Sequence, residues 1–379
     1  MKKILALILA ALLIFCMVAC ADSDKTEIDD NDEVENNENA ITVKSGKFVY
    51  ETNSDGDYEI VEYIPSSVKV IDLLELPKTT EDGREITGIA DEAFKADLTL
   101  KAVKIPETYV NIGSYAFYGC ENLVSVTMTD SVKTIGAYSF AECGKLSKFT
   151  LSKSVTKINE GTFKNCASLA TLELSEKVEE ICDGAFFGCK TLKALELTES
   201  IKKITKNAFY GCDALTYTVD GNAKYLGNAE NPYLVLVSAL DLNIEECTVN
   251  EATVIVADNA FANCIYLESL TLSAKVKNIT NAAISNCEAL ELSEYENALY
   301  LGNAENPYMV LVSVVNISHE NLKVHADTAI ITAEAFAHCL KLKAISYEKS
   351  SEDWDGIIKA ENWAHKLNIT VICHGDDAE

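Results

Sequence analysis

The sequence is poor in basic residues and therefore carries charge mainly of one sign. It has 32 lysines and arginines against 59 aspartates and glutamates, a formal net charge of −27 over 379 residues. A phosphate backbone attracts basic patches and repels acidic ones, so this balance excludes nucleic acid as a partner. It also excludes simple electrostatic docking onto an anionic lipid surface. The acidic surface is most simply one that keeps a protein soluble.

Sequence motifs for catalysis and cofactor binding are missing as well. There is no glycine-rich phosphate loop, no HExxH, no GxSxG and no calcium-loop spacing. The five histidines all follow residue 318, and cysteine adjoins histidine at His338-Cys339 and Cys373-His374. Such neighbours can indicate a nucleophile, but Cys339 belongs to the repeat column described below and Cys373 to an apparent cap strand. We therefore predict no catalytic residue, no metal site, no cofactor and no enzyme activity.

The first 19 residues have the layout of a secretory signal peptide, with a basic start and an apolar run over residues 4–19. That run is shorter than the about 20 residues needed to cross a membrane. Met17-Val18-Ala19-Cys20 resembles a bacterial lipobox, with methionine where leucine is usual. The resemblance implies that Cys20 is acylated, becomes the first mature residue and attaches the protein to the membrane. The alternative is ordinary cleavage near Ala19 or Ala21 with release.

Residues 21–40 contain nine acidic residues, one lysine and no aromatic residue. Such a segment cannot bury enough apolar surface to offset its chain entropy, so we expect it to be disordered. It has the composition of a tether that holds an extracytoplasmic domain clear of the membrane.

Four columns of residues recur every 23 residues through the middle of the chain, which is the pattern of a repeat architecture. The phenylalanine column comprises Phe94, Phe117, Phe140, Phe163, Phe186 and Phe209. Isoleucine stands five residues before each phenylalanine and leucine six after it, and cysteine stands three after from Phe117 onward. One such unit cannot bury its own apolar face, so neighbouring units must stack. The closing Leu-x-x-Leu-x-Leu predicts a short strand in a parallel ladder, and the Ala-Phe-x-x-Cys segment a short turn on the opposite side.

A longer period of 75 residues follows the regular units. The segment YLGNAENPYLVLV beginning at Tyr225 recurs at Tyr300 as YLGNAENPYMVLV. Each copy predicts a β-hairpin, because an extended run, a Gly-Asn-Ala-Glu-Asn-Pro turn and a Val/Leu alternation follow one another.

The units resemble the BspA-type class of bacterial leucine-rich repeats, with Ile112-Gly-Ser-Tyr-Ala-Phe-Tyr-Gly-Cys-Glu-Asn-Leu123 as the fullest example. The resemblance implies a β-rich α/β solenoid, a right-handed superhelix of ~23-residue units with two inserted hairpins. It also implies a surface-exposed interaction module or adhesin with no shared catalytic site. We divide the chain into signal peptide, lipidated cysteine and tether, N-terminal β cap, solenoid, and C-terminal cap with tail: 1–19, 20–40, 41–83, 84–347 and 348–379.

Eleven cysteines remain after Cys16 and Cys20 are set aside. Export would permit disulfides, but equivalent residues of stacked units point the same way and lack the facing geometry of a bridge. We interpret the column as buried free thiols that behave as small apolar side chains. A few bridges remain an alternative.

Two surfaces are candidates for ligand binding. The outward strand positions carry small or charged residues and no aromatic stripe. The inserts offer Tyr225, Tyr233, Tyr300 and Tyr308, because tyrosine supplies rigid contact area with a polar tip. The alternative is that these rings pack the inserts onto the solenoid. We expect a monomeric surface module that binds a protein or glycan ligand; the alternatives are a structural or assembly protein of the cell envelope and, less favoured, a secreted enzyme.

Overall fold

The structure is a computed structural model. It describes residues 43–45, 47–65, 70–361, 363–364 and 367–377. The predicted signal peptide, Cys20 and the acidic tether lie outside the described residues, so the segment boundaries proposed from the sequence stay predictions there.

Three antiparallel strands open the described part: β1 (Val43–Ser45), β2 (Phe48–Thr52) and β3 (Tyr58–Tyr63). The expected hairpin turn joins β2 to β3. Its Asn53 Oδ1 accepts hydrogen bonds from the amides of Asp55 and Asp57, both at 3.0 Å, and Gly56 supplies the left-handed φ of 85°. Strand β3 then pairs in parallel with the first strand of the solenoid, so the hairpin covers that end of the stack.

Two parallel ladders run along the regular units. The ladder at the isoleucine column has two segments: β5 (Ile86–Ile89), β7 (Asn111–Ile112) and β9 (Thr134–Ile135), then β11 (Lys157–Ile158), β12 (Glu180–Ile181) and β13 (Lys203–Ile204). The ladder at the leucine strand contains β4 (Leu74–Glu75), β6 (Ala102–Lys104), β8 (Ser125–Thr127) and β10 (Lys148–Phe149). Pairing joins residues 23 apart, as in Ile89↔Ile112 and Val103↔Val126.

The structure confirms the parallel-strand solenoid, of about 12 turns and with little helix. The ladder at the isoleucine column was not predicted. The ladder at the leucine strand was predicted. In the last regular units it is reduced to one bridge between Thr171 and Ala194. The Ala-Phe-x-x-Cys segments form consecutive turns, in which the amide of Cys189 donates to the carbonyl of Phe186 at 3.1 Å.

Each insert is a three-stranded antiparallel meander rather than a simple hairpin. The first contains β14 (Thr218–Asp220), β15 (Ala223–Leu226) and β16 (Val235–Ala239). The second, 75 residues later, contains β20 (Ser293–Tyr295), β21 (Ala298–Leu301) and β22 (Val310–Val314). Strand β16 pairs in parallel with β18 (Ile255–Val256), and β22 with β24 (Ile330–Ile331), so each insert rejoins the solenoid through its last strand.

The remaining strands complete the stack toward the C-terminal end. They are β17 (Glu246–Thr248), β19 (Ser269–Thr271), β23 (Asn321–Val324), β25 (Ala344–Tyr347), β26 (Ile358–Lys359) and β27 (Thr370–Cys373). Short 3₁₀ turns span Asn281–Ile284 and His374–Asp377. The single α-helix of the described part, α1 (Ser351–Gly356), starts at a capping box formed by Ser350 and Asp353 and places Trp354 against Tyr347.

The phenylalanine column forms the centre of the core, as predicted. Consecutive rings from Phe94 to Phe209 stack with centroids 4.8 to 6.1 Å apart and planes within 13° of parallel. Phe163, in mid-stack, has no solvent exposure. Each stacked pair therefore links two neighbouring units, and the core is continuous along the regular part of the solenoid.

The eleven cysteines in the described part of the chain are free thiols, and most of those in the 23-residue column are buried. In six of them the Sγ donates to the carbonyl of a phenylalanine 26 residues earlier, as Cys166 does to Phe140 at 3.1 Å. The same bond joins Cys120 to Phe94 and Cys189 to Phe163. The thiols thus behave as small apolar side chains, as expected, and also satisfy a backbone carbonyl inside the core.

Candidate ligand-binding surface

The outward positions of the leucine strands offer no binding anchor. Six residues occupy these positions, of which Thr271 is half-buried and the other five are exposed: Lys104, Thr127, Thr150, Glu173, Glu196 and Thr271. On the other ladder Glu180 lies between Lys157 and Lys203, at 3.0 and 3.7 Å, so ion pairs join successive turns. Exposed pairs of this kind contribute at most about 1 kcal/mol each.

Two of the four candidate tyrosines are interior, which corrects the prediction for them. Tyr225 and Tyr300 have no solvent exposure. Their hydroxyls accept hydrogen bonds from the amides of Asn250 and His325, at 3.2 Å in both copies. Burial raises the pKa of both phenols to about 12. These rings pack the inserts onto the solenoid and cannot contact a ligand, because their strand position turns them inward.

The other two candidates, Tyr233 and Tyr308, are half-buried at the ends of the insert turns. Each meets its interior neighbour edge to face, at 5.5 Å from Tyr225 and 5.6 Å from Tyr300. Tyr308 also stacks on His325 at 4.0 Å. Their exposed edges keep them as candidate contacts.

A surface that the sequence analysis missed lies on the turn side of the regular units. Six side chains form it, and we call it the aromatic belt: Tyr115, Tyr118, Tyr138, Lys164, Phe187 and Tyr210. Tyr115 stacks on Tyr138 with centroids 5.1 Å apart and also contacts Tyr118 at 5.6 Å. Tyr210 is 66% exposed and the other five are half-buried, so the belt is a continuous, accessible surface.

Lys164 joins the two halves of the belt. Its Nζ lies 5.9 Å from the ring centre of Tyr138 and 5.4 Å from that of Phe187. Phe187 in turn stacks on Tyr210 at 5.2 Å. A cation over two rings at these distances interacts favourably with both faces. The lysine therefore connects the rings of Tyr138 and Phe187, between which the belt has no aromatic side chain.

Backbone geometry sets the position of the tyrosines in the belt. Each turn has two left-handed residues; at the first of them φ is 62° at Glu92, 56° at Tyr115, 55° at Tyr138 and 56° at both Gly161 and Gly184. Asn207 follows at 58°. Glycine and asparagine suit this conformation, whereas a bulky residue there is an outlier. The two tyrosines therefore carry backbone strain at a surface position.

Charged groups surround a notch of about 230 Å³ in the middle of the belt. The Tyr138 hydroxyl donates to Glu160 at 2.6 Å, and this hydrogen bond to the carboxylate raises the pKa of the phenol to about 12. Asp183 lies 3.6 Å from Lys206 across the notch. The notch thus presents positively and negatively charged side chains, all able to form hydrogen bonds, beside aromatic rings.

The family of the chain follows from its repeats. The sequence profile of the BspA type leucine rich repeat region matches residues 87–216 and 240–304 in six copies, just over half of the chain. The chain belongs to the BspA-type leucine-rich-repeat family. No curated protein matches it.

Several solved leucine-rich-repeat structures resemble this BspA-type chain. The T. pallidum leucine rich repeat protein TpLRR is 25% identical, with 59% of this chain and 91% of that one covered and a TM-score of 0.45. A leucine rich cell surface protein from Faecalibacterium prausnitzii A2-165 is 21% identical, covers 84% and 97%, and has a TM-score of 0.40. The pneumococcal vaccine antigen PcpA is 15% identical, with coverage of 88% and 86% and a TM-score of 0.37.

The belt of this BspA-type protein had a signal in the sequence. Tyr115 and Tyr138 are 23 residues apart, and so are Phe187 and Tyr210. These residues do not belong to the strand columns but occupy the columns two before and one after the core phenylalanine. Within the described residues no helix is long and apolar enough to cross a membrane.

Proposed function

We propose that this protein is a non-catalytic binding module, displayed on a bacterial surface by a lipid on Cys20, that holds an extracellular ligand against the aromatic belt. The observation that carries the proposal is the pair Tyr115 and Tyr138, two half-exposed rings on left-handed backbone.

The energetics of the pair favour a functional role over a structural one. Left-handed backbone costs a residue other than glycine on the order of 1–2 kcal/mol. Stacking of the two rings stabilises the fold by about 0.5–1.5 kcal/mol. Tyr138 lies outside the phenylalanine core and gains nothing from its packing. Glycine at positions 161 and 184 supports the same backbone without that cost. Strain kept at an accessible site is typical of functional positions.

Family and N-terminal sequence support the placement at the cell surface. Repeat solenoids present extended surfaces suited to binding, and the lipobox at residues 17–20 together with the acidic segment at 21–40 suits an anchored, tethered domain. Mixed charge and aromatic edges on the belt suit a large polar ligand.

The experiment displays the full chain on a bacterial host and measures attachment to immobilised mammalian extracellular matrix and to unrelated bacterial cells. The double variant Tyr115→Asn/Tyr138→Asn should lower attachment at least tenfold, because two anchors of the belt are lost. Asparagine is chosen because it occupies the same left-handed column at position 207.

The matched control is Tyr266→Asn, which removes a 55% exposed tyrosine outside the belt and should leave attachment unchanged. A second variant, Tyr233→Ala/Tyr308→Ala, measures how much the inserts contribute to attachment. Equal attachment by the belt variant and the parent would contradict the proposal. Co-purification with envelope components and no attachment would favour the assembly role.

A further inference from the structure

The regular stacking of turns is interrupted where the first insert enters. In the regular units an amide bonds to the isoleucine carbonyl of the preceding turn, as Thr205 does to Ile181 at 2.9 Å. The carbonyl of Ile204 instead accepts from Asp258, which lies 54 residues later, at 3.1 Å. The stack of phenylalanine rings also ends here, because the described rings include none that contacts Phe209 from the next turn.

A cavity of about 210 Å³ opens at this interruption, between the turn at residues 204–210 and the insert. Its apolar walls include Ile204, Phe209 and Val237. At ~30 Å³ per water the volume holds about seven water molecules, which is room for one sugar ring. Asn207 lines both this cavity and the notch of the belt, so the two are adjacent.

The cavity contains one buried polar group without a partner and two half-buried groups with free hydrogen-bonding capacity. Thr205 is 9% exposed, and its buried Oγ1 makes no hydrogen bond. Among the described residues the Tyr217 hydroxyl has no hydrogen-bond partner either, and the Asp258 carboxylate has a single side-chain partner, the hydroxyl of Thr280. Burial raises the pKa of Asp258. A buried polar group normally finds a partner, so the unpartnered Thr205 hydroxyl, beside two half-buried hydrogen-bonding groups at one cavity, points to a ligand.

The second copy of the 75-residue repeat serves as an internal comparison. Seventy-five residues after Tyr217 and Asp258 stand Leu292 and Ala333, and Ile284 replaces Phe209. Thr205 recurs as Thr280, whereas Tyr217 and Asp258 are particular to the first copy, although the folds of the two inserts correspond strand for strand. Closing an insert onto the solenoid does not require them.

We propose that this cavity binds the terminal sugar residue of a neutral glycan whose next residues lie along the belt. The inference rests on the proposed function and names its ligand class. A sugar presents hydroxyls that donate and accept to Asp258, Thr205 and Tyr217, and its apolar C–H face packs on Phe209. The charges near the cavity balance, with Asp258 and Asp183 against Lys203 and Lys206, so a neutral group suits it better than an ion of either sign.

The test is saturation-transfer NMR on the full-length protein in detergent, with the methyl glycosides of glucose, galactose, mannose and N-acetylglucosamine, and with sialic acid. At least one neutral glycoside should show saturable transfer, and the anionic sialic acid none. Asp258→Ala and Tyr217→Leu should each weaken binding at least tenfold. Both introduce residues that the second copy has at the matching positions, so the fold should tolerate them. Ser238→Ala, at a residue that lines the cavity, should also weaken binding, whereas its control Ser313→Ala, at the matching position of the second insert, should leave binding unchanged.

Binding by none of the neutral glycosides, or binding unaffected by Asp258→Ala, would overturn the inference. The attachment assay separates this failure from that of the proposed function. If attachment depends on the belt but persists with Asp258→Ala and on cells stripped of glycans, the ligand is a protein and only the sugar site is wrong. If attachment does not depend on the belt, the proposed function itself fails.

Discussion

The ring of Tyr138 lies over the Cα of Gly161 on the next turn. A β-carbon added at Gly161 would come within 2.3 Å of Tyr138 Cε1, and φ there is 56°. The change from tyrosine to glycine along one column is therefore required by contact between turns. The ring of one unit occupies the space that a side chain of the next would need.

A double-mutant cycle tests this relationship. Gly161→Ala should lower the free energy of unfolding by about 1–2 kcal/mol through its left-handed φ, and further by displacing the ring. Tyr138→Asn alone should change it by less than about 1 kcal/mol, because lost ring contacts and relieved strain nearly cancel. The cycle, measured by urea unfolding, should give a coupling of about 0.5–1 kcal/mol. Strict additivity would mean that the two residues do not share this space.

Phe163→Ala should be among the most damaging single changes in the core. It removes a fully buried ring from the middle of the phenylalanine stack, which costs about 3–5 kcal/mol. Coupling between stacked turns should spread the loss, so hydrogen exchange should speed up in neighbouring units as well. An unchanged melting curve would contradict the interior position of this column.

Stability should fall in alkali before the tyrosines titrate. Burial raises the pKa of Cys120 to about 12 and that of Cys182 to about 11, whereas a thiol in the unfolded chain has a pKa of about 8.5. Because the folded-state pKa is the higher one, the stabilisation is complete below about pH 8.5 and is lost as pH rises through the folded values. The urea midpoint should therefore decline from about pH 8.5 to 10, less steeply in Cys120→Ala. A flat midpoint over that range would show that the thiols are not buried.

Anchoring depends on Cys20 if the lipobox is genuine. Cys20→Ala should release the protein from the membrane fraction or stall its processing, because the acylated sulfur is lost. Fractionation with Cys16→Ala as the control measures this. A Cys20→Ala protein that is processed normally and stays in the membrane would show that another element holds it there.

Much of the fold could be predicted because a solenoid is nearly one-dimensional. The 23-residue period placed Phe163 and Cys166 at repeated positions, and stacking then required both to be interior. The insert tyrosines could not be assigned in the same way. Tyr225 and Tyr233 both stand beside apolar residues, and only the pairing of β15 with β16 turns one ring inward and leaves the edge of the other exposed.

By itself the sequence determined the repeat, the parallel ladder and the buried phenylalanine and cysteine columns, because identical units in register can bury their apolar faces only against one another. The tertiary structure alone decided the surface. The left-handed φ at Tyr115 and Tyr138 aims their rings along the turn edge, and the insert separates the turn at Ile204 from the next one to open the cavity beside Asp258. Both depend on backbone geometry between units, which a period in the sequence does not specify.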